Sequence, residues 1–119
     1  MEFSAHIISG TGLARMQKIP TLNLLLSDIP ASLDEGIYAC RVTFDQSFPA
    51  VMHYGPRPVH HLSDSCEVHI LDQVIEHPPE TIEVQIVGKI RDIQHFEDPK
   101  ELLRAIRGDI ANARAILGA

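Results

Sequence analysis

The sequence is poor in residue types that mark several large classes of protein. It contains no tryptophan, only 5% aromatic residues and two cysteines, Cys40 and Cys66. Two cysteines allow at most one disulfide, so the chain is not one of the small secreted domains that several disulfides hold together. Since no export signal is recognisable at the start of the sequence, we expect two buried thiols instead.

Long apolar runs and an excess of basic charge are also missing. No apolar run approaches the roughly 18 residues that a membrane-spanning helix needs, and residues 1–6 lack the basic and apolar regions of a signal peptide. We therefore expect a cytoplasmic protein without membrane contact. The formal net charge is −6, from 16 acidic and 10 basic residues. Such a surface repels phosphate backbones, which argues against a nucleic-acid partner, but it is compatible with an ATP site that uses local positive charge and a metal ion.

The apolar residues that are present, 45% of the chain, suffice for one hydrophobic core. The length of 119 residues suits a single domain over residues 1–119. Several segments alternate as strands do: Cys66, Val68 and Ile70 share one face of a segment whose other face carries Glu67. Strands are predicted at residues 3–9, 21–26, 37–44, 48–54, 66–71 and 82–86, with a bulge or a close approach at Gly88.

A C-terminal helix follows the last predicted strand. Asp98 is a good N-cap, Pro99 fits the first helical position and Glu101 completes a capping box, while Gly118 is a natural end. Six short strands and one helix predict a mainly β fold, a small six-stranded antiparallel Greek-key barrel with the helix packed on it. The apolar stripe of the helix consists of Leu102, Leu103, Ile106, Ile110, Ala113 and Leu117.

Thr21 and Asn23 are the first candidates for chemistry. Residues two apart on a strand point to the same side, so a hydroxyl and an amide oxygen are placed together, just after a glycine-containing loop. Neutral oxygen ligands suit Mg²⁺ when phosphates supply most of the negative charge. On spacing alone, ordinary strand-start and turn chemistry is the stronger interpretation.

A basic, glycine-containing loop and one glutamate are further candidates. The loop carries Gly10-Thr11-Gly12 and Lys18, but a Walker motif needs Gly-Lys-Ser/Thr, and Ile19 follows the lysine. Arg15 and Lys18 either contact phosphates or belong to a solvated loop. Glu67 lies in an otherwise apolar strand, so it is either a general base that faces a partly enclosed site or a glutamate on the wet outer surface of the barrel.

Several segments, in order, resemble the riboflavin kinase family, known as a single domain and as the C-terminal half of bacterial bifunctional FAD synthetases. The most specific is Arg15 followed by Ile19-Pro20-Thr21-Leu22-Asn23-Leu24, which resembles the family's Gly-Arg…Gly-Phe-Pro-Thr-Ala-Asn signature. The resemblance covers nearly the whole chain. The other matching segments are Ile7-Ile8-Ser9-Gly10, Gly36-Ile37-Tyr38-Ala39, Tyr54-Gly55-Pro56-Arg57-Pro58, Glu67-Val68-His69-Ile70-Leu71-Asp72, and an ending with Ile90-Arg91, Phe96, Leu102-Leu103, Ile106 and Asp109.

The resemblance implies a kinase that transfers a phosphoryl group from Mg-ATP to the 5′-hydroxyl of riboflavin and produces FMN. It implies that Glu67 accepts the proton of the ribityl hydroxyl and that Arg91 faces the flavin. The expected partners are riboflavin or FMN and ATP or ADP, with the chain a monomer or a weak homo-oligomer. The residues implied to bind ATP are Gly10, Arg15, Lys18, Thr21 and Asn23, of which Thr21 and Asn23 would also hold the Mg²⁺ ion.

The sequence departs from the family pattern around these residues. Ala14 and Lys18 stand where the family has glycines, Leu22 replaces an alanine, His53 replaces an asparagine, and His77-Pro78-Pro79 replaces a Leu-Tyr-Gly turn. Three hypotheses stay open: a riboflavin kinase, a catalytically inactive flavin- or nucleotide-binding relative that acts as a sensor or interaction module, and a barrel that pairs with another protein. No segment resembles an adenylyltransferase half, so FAD synthesis by this chain alone is not predicted.

Overall fold

The fold is a closed β-barrel with one helix packed on its outside, as the sequence predicts. The computed structural model describes residues 1–8, 19–56 and 63–119. Within them, six antiparallel strands close into a barrel in the order β1-β2-β5-β4-β3-β6. The elements are β1 (Glu2–Ile8), β2 (Leu22–Leu24), β3 (Gly36–Phe44), β4 (Gln46–Pro56), β5 (Asp64–Ile70), β6 (Thr81–Arg91) and a C-terminal helix α1 (Pro99–Leu117), with a 3₁₀ turn at Leu26–Asp28.

Several strand boundaries differ from the prediction, and the last strand extends furthest beyond it, to Arg91 instead of residue 86. The strand predicted at 21–26 is shorter, because β2 covers only Leu22–Leu24 and the chain then turns into the 3₁₀ segment. The hairpin between β3 and β4 is also tighter than the predicted three-residue turn. Asp45 alone separates the two strands, with φ of 60°. Aspartate tolerates this left-handed conformation better than most residues, which explains how so short a connection is made.

The barrel interior is filled by alternate residues of the strands. Val42, Met52 and Val68 are fully buried there, on three neighbouring strands. Cys40 and Cys66 belong to the same core and are free thiols, as predicted. Burial raises the pKa of the Cys40 thiol to about 12, so this thiol stays protonated and unreactive near neutral pH.

A second apolar cluster lies on the outer face of the barrel, under the helix. Ile37 and Val51 pack there against Ala113 and Leu117 of α1. The bulge predicted at Gly88 is present, because the partner on β6 shifts from Gly88 to Ile86 between two successive residues of β3. The barrel therefore has a covered outer surface on its β3, β4 and β6 strands, and this surface carries the candidate site.

Asp98 caps the start of the helix and Gly118 its end, as the sequence predicts. Within the part of the chain that the structure describes, the Glu101 side chain makes no hydrogen bond that would complete the predicted capping box. The Asp98 side chain accepts a hydrogen bond of 2.9 Å from the Lys100 amide, and Gly118 ends the helix at φ of 69°. The Arg41 guanidinium donates a 3.0 Å hydrogen bond to the carbonyl of Leu117 and ties the last turn to β3. Among the described residues, no helix combines the length and the apolar character that crossing a bilayer requires.

Removing the N-cap should destabilise the helix measurably. We expect Asp98→Ala to lower the free energy of unfolding by about 1 kcal/mol, because the first-turn amide loses its acceptor. The measurement is urea unfolding followed by circular dichroism. Glu97→Ala is the matched control, since this exposed carboxylate directly precedes the cap. Equal effects of the two substitutions would contradict the assigned capping role.

Candidate active site

One row of paired residues crosses the barrel and organises the site. Asn23 on β2 pairs with Glu67 on β5, and Glu67 pairs with His53 on β4. His53 pairs in turn with Ile37 on β3, which pairs with Arg91 on β6. Directly paired residues in an antiparallel sheet project to the same face. Since Ile37 belongs to the cluster under α1, the whole row lies on the outer face of the barrel.

A cleft lies over this row, between the barrel and the first half of α1. The space between its walls is about 620 Å³, a volume that includes open solvent. Most of the wall is apolar, and a few polar groups converge on it. The residues that line it include Thr21, His53, Glu67, Arg91, Ile93 and Asp109.

Glu67 is a buried carboxylate held by two hydroxyl groups. It is 5% exposed, although it lies on the outer face of the barrel, because the cleft walls enclose it. Thr21 Oγ1 donates to one carboxylate oxygen at 3.1 Å, and Ser65 Oγ donates to the other at 3.2 Å. Glu67 therefore lies on the outer face of the barrel, as one of the two interpretations expects, but it is shielded from solvent, which that interpretation does not expect. No cation pairs with it among residues 1–8, 19–56 and 63–119, so the two hydroxyl donors leave the carboxylate oriented and able to accept a further hydrogen bond.

Thr21 lies where two cavities meet. It lines the cleft and also a second depression, of about 1150 Å³ with open solvent included. This depression is formed by residues 19–22, by Val68 and Ile70 of β5, and by residues 73–76 and Pro78. The strand pairing holds Asn23 opposite Glu67. His69 Nδ1 lies 2.9 Å from the Pro20 carbonyl and fixes the chain just before Thr21. A group bound in either cavity can thus reach the same hydroxyl.

Arg91 and Asp109 form an ion pair in the wall of the cleft. The guanidinium donates through Nε and Nη2 to both carboxylate oxygens, each at 2.8 Å. The Asp109 side chain is 6% exposed and that of Arg91 25%. The guanidinium also lies 5.8 Å from the centre of the Phe96 ring. The pair joins β6 to the middle of α1 and gives the cleft a rigid, nearly neutral corner.

His53 is the least expected polar group of the cleft. Its Nε2 lies 3.1 Å from the carbonyl oxygen of Pro56, and its Nδ1 is buried with no hydrogen-bond partner among the described residues. Burial lowers the pKa of His53, and the negative charge of the adjacent Glu67 opposes this effect without reversing it. The ring is therefore neutral near pH 7.

The structure brings together four of the seven predicted site residues. Thr21, Asn23, Glu67 and Arg91 all belong to the cleft or to the row beneath it. The other three, Gly10, Arg15 and Lys18, lie outside the described residues. Sequence reasoning did not assign a role to His53 or Ser65, and it met Asp109 only as part of a family pattern. Their immediate sequence neighbours carry no distinguishing signal, since Asp64 precedes Ser65 and Gly108 precedes Asp109.

Comparison with known proteins gives a consistent result over the whole chain. The family model described as "Flavokinase: Riboflavin kinase" matches residues 1–117. A bifunctional riboflavin kinase/FMN adenylyltransferase of Pseudomonas fluorescens is 33% identical over 120 residues, covering 95% of this chain and 37% of the relative. The protein of the same description from Escherichia coli K12 is 32% identical over 118 residues, covering 97% and 37%. The chain thus spans little more than a third of the curated relatives it matches.

One similar solved structure has a different description. A crystal structure described as a macrolide-efflux protein from Streptococcus pneumoniae superposes with a TM-score of 0.81 and 24% sequence identity. The match covers 95% of this chain and 38% of that one. At this identity the likeness concerns the fold alone.

Proposed function

The chain belongs to the riboflavin kinase family, and on that premise we propose that it transfers the γ-phosphoryl group of ATP to the 5′-hydroxyl of riboflavin, giving FMN and ADP. The observation that carries the proposal is Glu67, a buried carboxylate that lines a cleft and is held by two hydroxyl partners, Thr21 and Ser65. A carboxylate in this setting can position and deprotonate one hydroxyl group.

In the proposed reaction, Glu67 accepts a hydrogen bond from the 5′-hydroxyl of riboflavin. The hydroxyl oxygen forms a bond to the γ-phosphorus as the bond from that phosphorus to the bridging oxygen of ATP breaks, and ADP leaves. The hydroxyl proton passes to a Glu67 oxygen and from there to solvent when FMN departs. Positioning and charge neutralisation supply most of the rate in reactions of this type, so Glu67 needs mainly to orient its partner.

The nucleotide is proposed to occupy the second depression, next to Thr21 and Asn23. The Thr21 hydroxyl donates its proton to Glu67, so its oxygen lone pairs remain available to a cation. Among the described residues, no three His, Cys, Asp or Glu side chains are grouped to hold a metal by themselves. This donor set fits a magnesium ion that arrives with the nucleotide, since phosphate oxygens then supply most of its ligands. Bound there, Mg²⁺ would neutralise phosphate charge. Gly10, Arg15 and Lys18 are proposed to lie over the phosphates.

The flavin ring is proposed to occupy the apolar part of the cleft. Ile37, Ile93 and Ile106 line that part, and the Arg91–Asp109 pair closes it. Because the Arg91 guanidinium is already paired with Asp109 through Nε and Nη2, we propose that it presents a planar surface to the ring and is not a free cation for a phosphate. The 5′-hydroxyl would then reach Glu67 from the ring side, opposite the nucleotide.

We further propose that residues 1–119 act as one domain in the cytoplasm. The two buried free thiols, Cys40 and Cys66, fit a reducing compartment.

The direct test is product formation. The protein is incubated with riboflavin, ATP and Mg²⁺, and FMN and ADP are separated and quantified by chromatography. We expect the two products in equal amounts, with no FMN when either ATP or the divalent ion is omitted. Quenching of riboflavin fluorescence without FMN under any divalent metal would instead identify an inactive flavin-binding relative. Absence of both turnover and quenching would contradict the kinase and the flavin-binding relative together.

A further inference from the structure

His53 carries a buried acceptor atom that the fold leaves unpaired. Its Nε2 faces the carbonyl oxygen of Pro56 at 3.1 Å. A carbonyl oxygen can only accept, so the ring proton must reside on Nε2. In a neutral ring Nδ1 is then an acceptor, and this atom is buried without a hydrogen-bond partner among the residues the structure describes.

An acceptor of this kind is costly to bury unless something binds it. The free energy lost is that of removing the nitrogen from water without replacing its hydrogen bond. A buried polar atom without a partner in a native protein calls for an explanation, and one such explanation is that a ligand supplies the missing hydrogen bond. The setting favours a ligand here, because His53 lines the cleft and stands between Glu67 and Ile37 in the row across the barrel.

The position of His53 in this row also limits which part of a flavin it can meet. Neighbouring strands are roughly 4.8 Å apart, so His53 is one strand spacing from Glu67, on the side toward Ile37 and Arg91. A riboflavin with its 5′-hydroxyl at Glu67 and its ring among the isoleucines must pass its ribityl chain over His53. The hydroxyls of that chain are donors, and they are the groups nearest to the reacting one.

We propose that His53 Nδ1 accepts a hydrogen bond from a ribityl hydroxyl of riboflavin next to the 5′-hydroxyl, and so helps to select a polyol side chain. This inference rests on the proposed function, since it takes the flavin as the occupant of the cleft. It adds a specificity-determining residue to the site. His53 touches no reacting atom in this arrangement, and its effect is on binding and alignment of the chain.

Two substitutions separate the two ring nitrogens. In His53→Asn the amide oxygen can replace Nδ1, whereas the group that bonds Pro56 is lost. In His53→Gln the amide nitrogen can replace Nε2 and keep the bond to Pro56, whereas the acceptor at Nδ1 is lost. We expect the asparagine variant to keep the riboflavin Kd within about threefold, and the glutamine variant to raise it by about tenfold or more.

Lumiflavin, which has the same ring and no ribityl chain, provides the control ligand. We expect its Kd to be the same in both variants and in the unchanged protein, as measured by fluorescence quenching. If His53 had only a structural role, its substitution would lower the affinity for both ligands alike. The proposal is overturned if the two variants lose riboflavin affinity equally. It is also overturned if His53→Gln raises the Kd of lumiflavin by the same factor as that of riboflavin.

A measurement on the unchanged protein removes any dependence on how the variants fold. In ¹⁵N-histidine-labelled protein, a long-range ¹H–¹⁵N spectrum reports whether Nδ1 of a neutral imidazole accepts a hydrogen bond. We expect the His53 Nδ1 resonance to shift on adding riboflavin and to stay in place with lumiflavin. An unshifted resonance in protein that makes FMN would overturn the role of His53 alone, whereas a protein that neither binds riboflavin nor makes FMN would fail at the proposed function itself.

Discussion

Glu67→Gln is expected to reduce the rate of FMN formation by about 100-fold or more while leaving riboflavin affinity nearly unchanged. The reduction follows because an amide cannot accept the hydroxyl proton, and a positioned general base contributes about 10²- to 10⁴-fold. Affinity should survive because glutamine keeps the shape of the side chain and one acceptor oxygen. In the unchanged protein the Ser65 hydroxyl donates to Glu67. In the variant the glutamine amide can donate to the Ser65 hydroxyl instead, so this contact is kept with its direction reversed. The measurements are kcat from FMN production and Kd from fluorescence quenching.

The matched control for this prediction is Glu83→Gln. Glu83 lies on β6, is exposed and contacts Ser4 on β1, outside the cleft. The same chemical change there should leave kcat and Kd within about twofold. A Glu67→Gln protein that retains full kcat would show that this carboxylate does not accept the proton. An equal loss of kcat and of flavin affinity would point to binding instead.

The barrel could be predicted from the sequence because its signals are local. Alternation in β3, β4 and β5 identifies the inward-facing residues, and the caps at Asp98 and Gly118 set the ends of the helix. Alternation did not reveal that Ile37 and Ala39, on the opposite face of β3, are buried as well. Their burial depends on where the helix docks, a long-range packing event that no periodicity within one strand encodes.

The candidate site could be predicted only in part, for a similar reason. The spacing of Thr21 and Asn23 was visible in the sequence, and so was the unusual position of Glu67. The contact between Thr21 and Glu67 joins residues 46 positions apart and follows from barrel register, which spacing cannot supply. His53 is one of seven histidines, and nothing in its immediate neighbours indicates that its ring is buried. Its importance comes from its pairing with Glu67 and Ile37 on two other strands.

The Arg91–Asp109 pair should make a large contribution to the stability of the cleft. We expect the loss of Arg91 to lower the free energy of unfolding more than the loss of Asp109. Replacing Arg91 by methionine leaves the Asp109 carboxylate, 6% exposed, without its cation. Breaking a buried ion pair in this way costs about 3–5 kcal/mol, so we expect a loss in that range in urea unfolding. Asp109→Leu should cost less, because the Arg91 side chain is 25% exposed and can turn toward water while it keeps its contact with Phe96.

Replacing both charged residues at once distinguishes two free energies: the net contribution of the ion pair to stability, and the cost of leaving one of its charges buried without a partner. In the Arg91→Met/Asp109→Leu double variant no buried charge remains, and apolar residues of similar volume can extend the packing of Ile93 and Ile106. We therefore expect the double variant to unfold within about 2 kcal/mol of the unchanged protein and to be more stable than Arg91→Met alone. Additive losses would mean that the two side chains stabilise the fold independently. If the double variant is stable but binds riboflavin weakly, the ion pair serves the flavin site, and the fold does not require it.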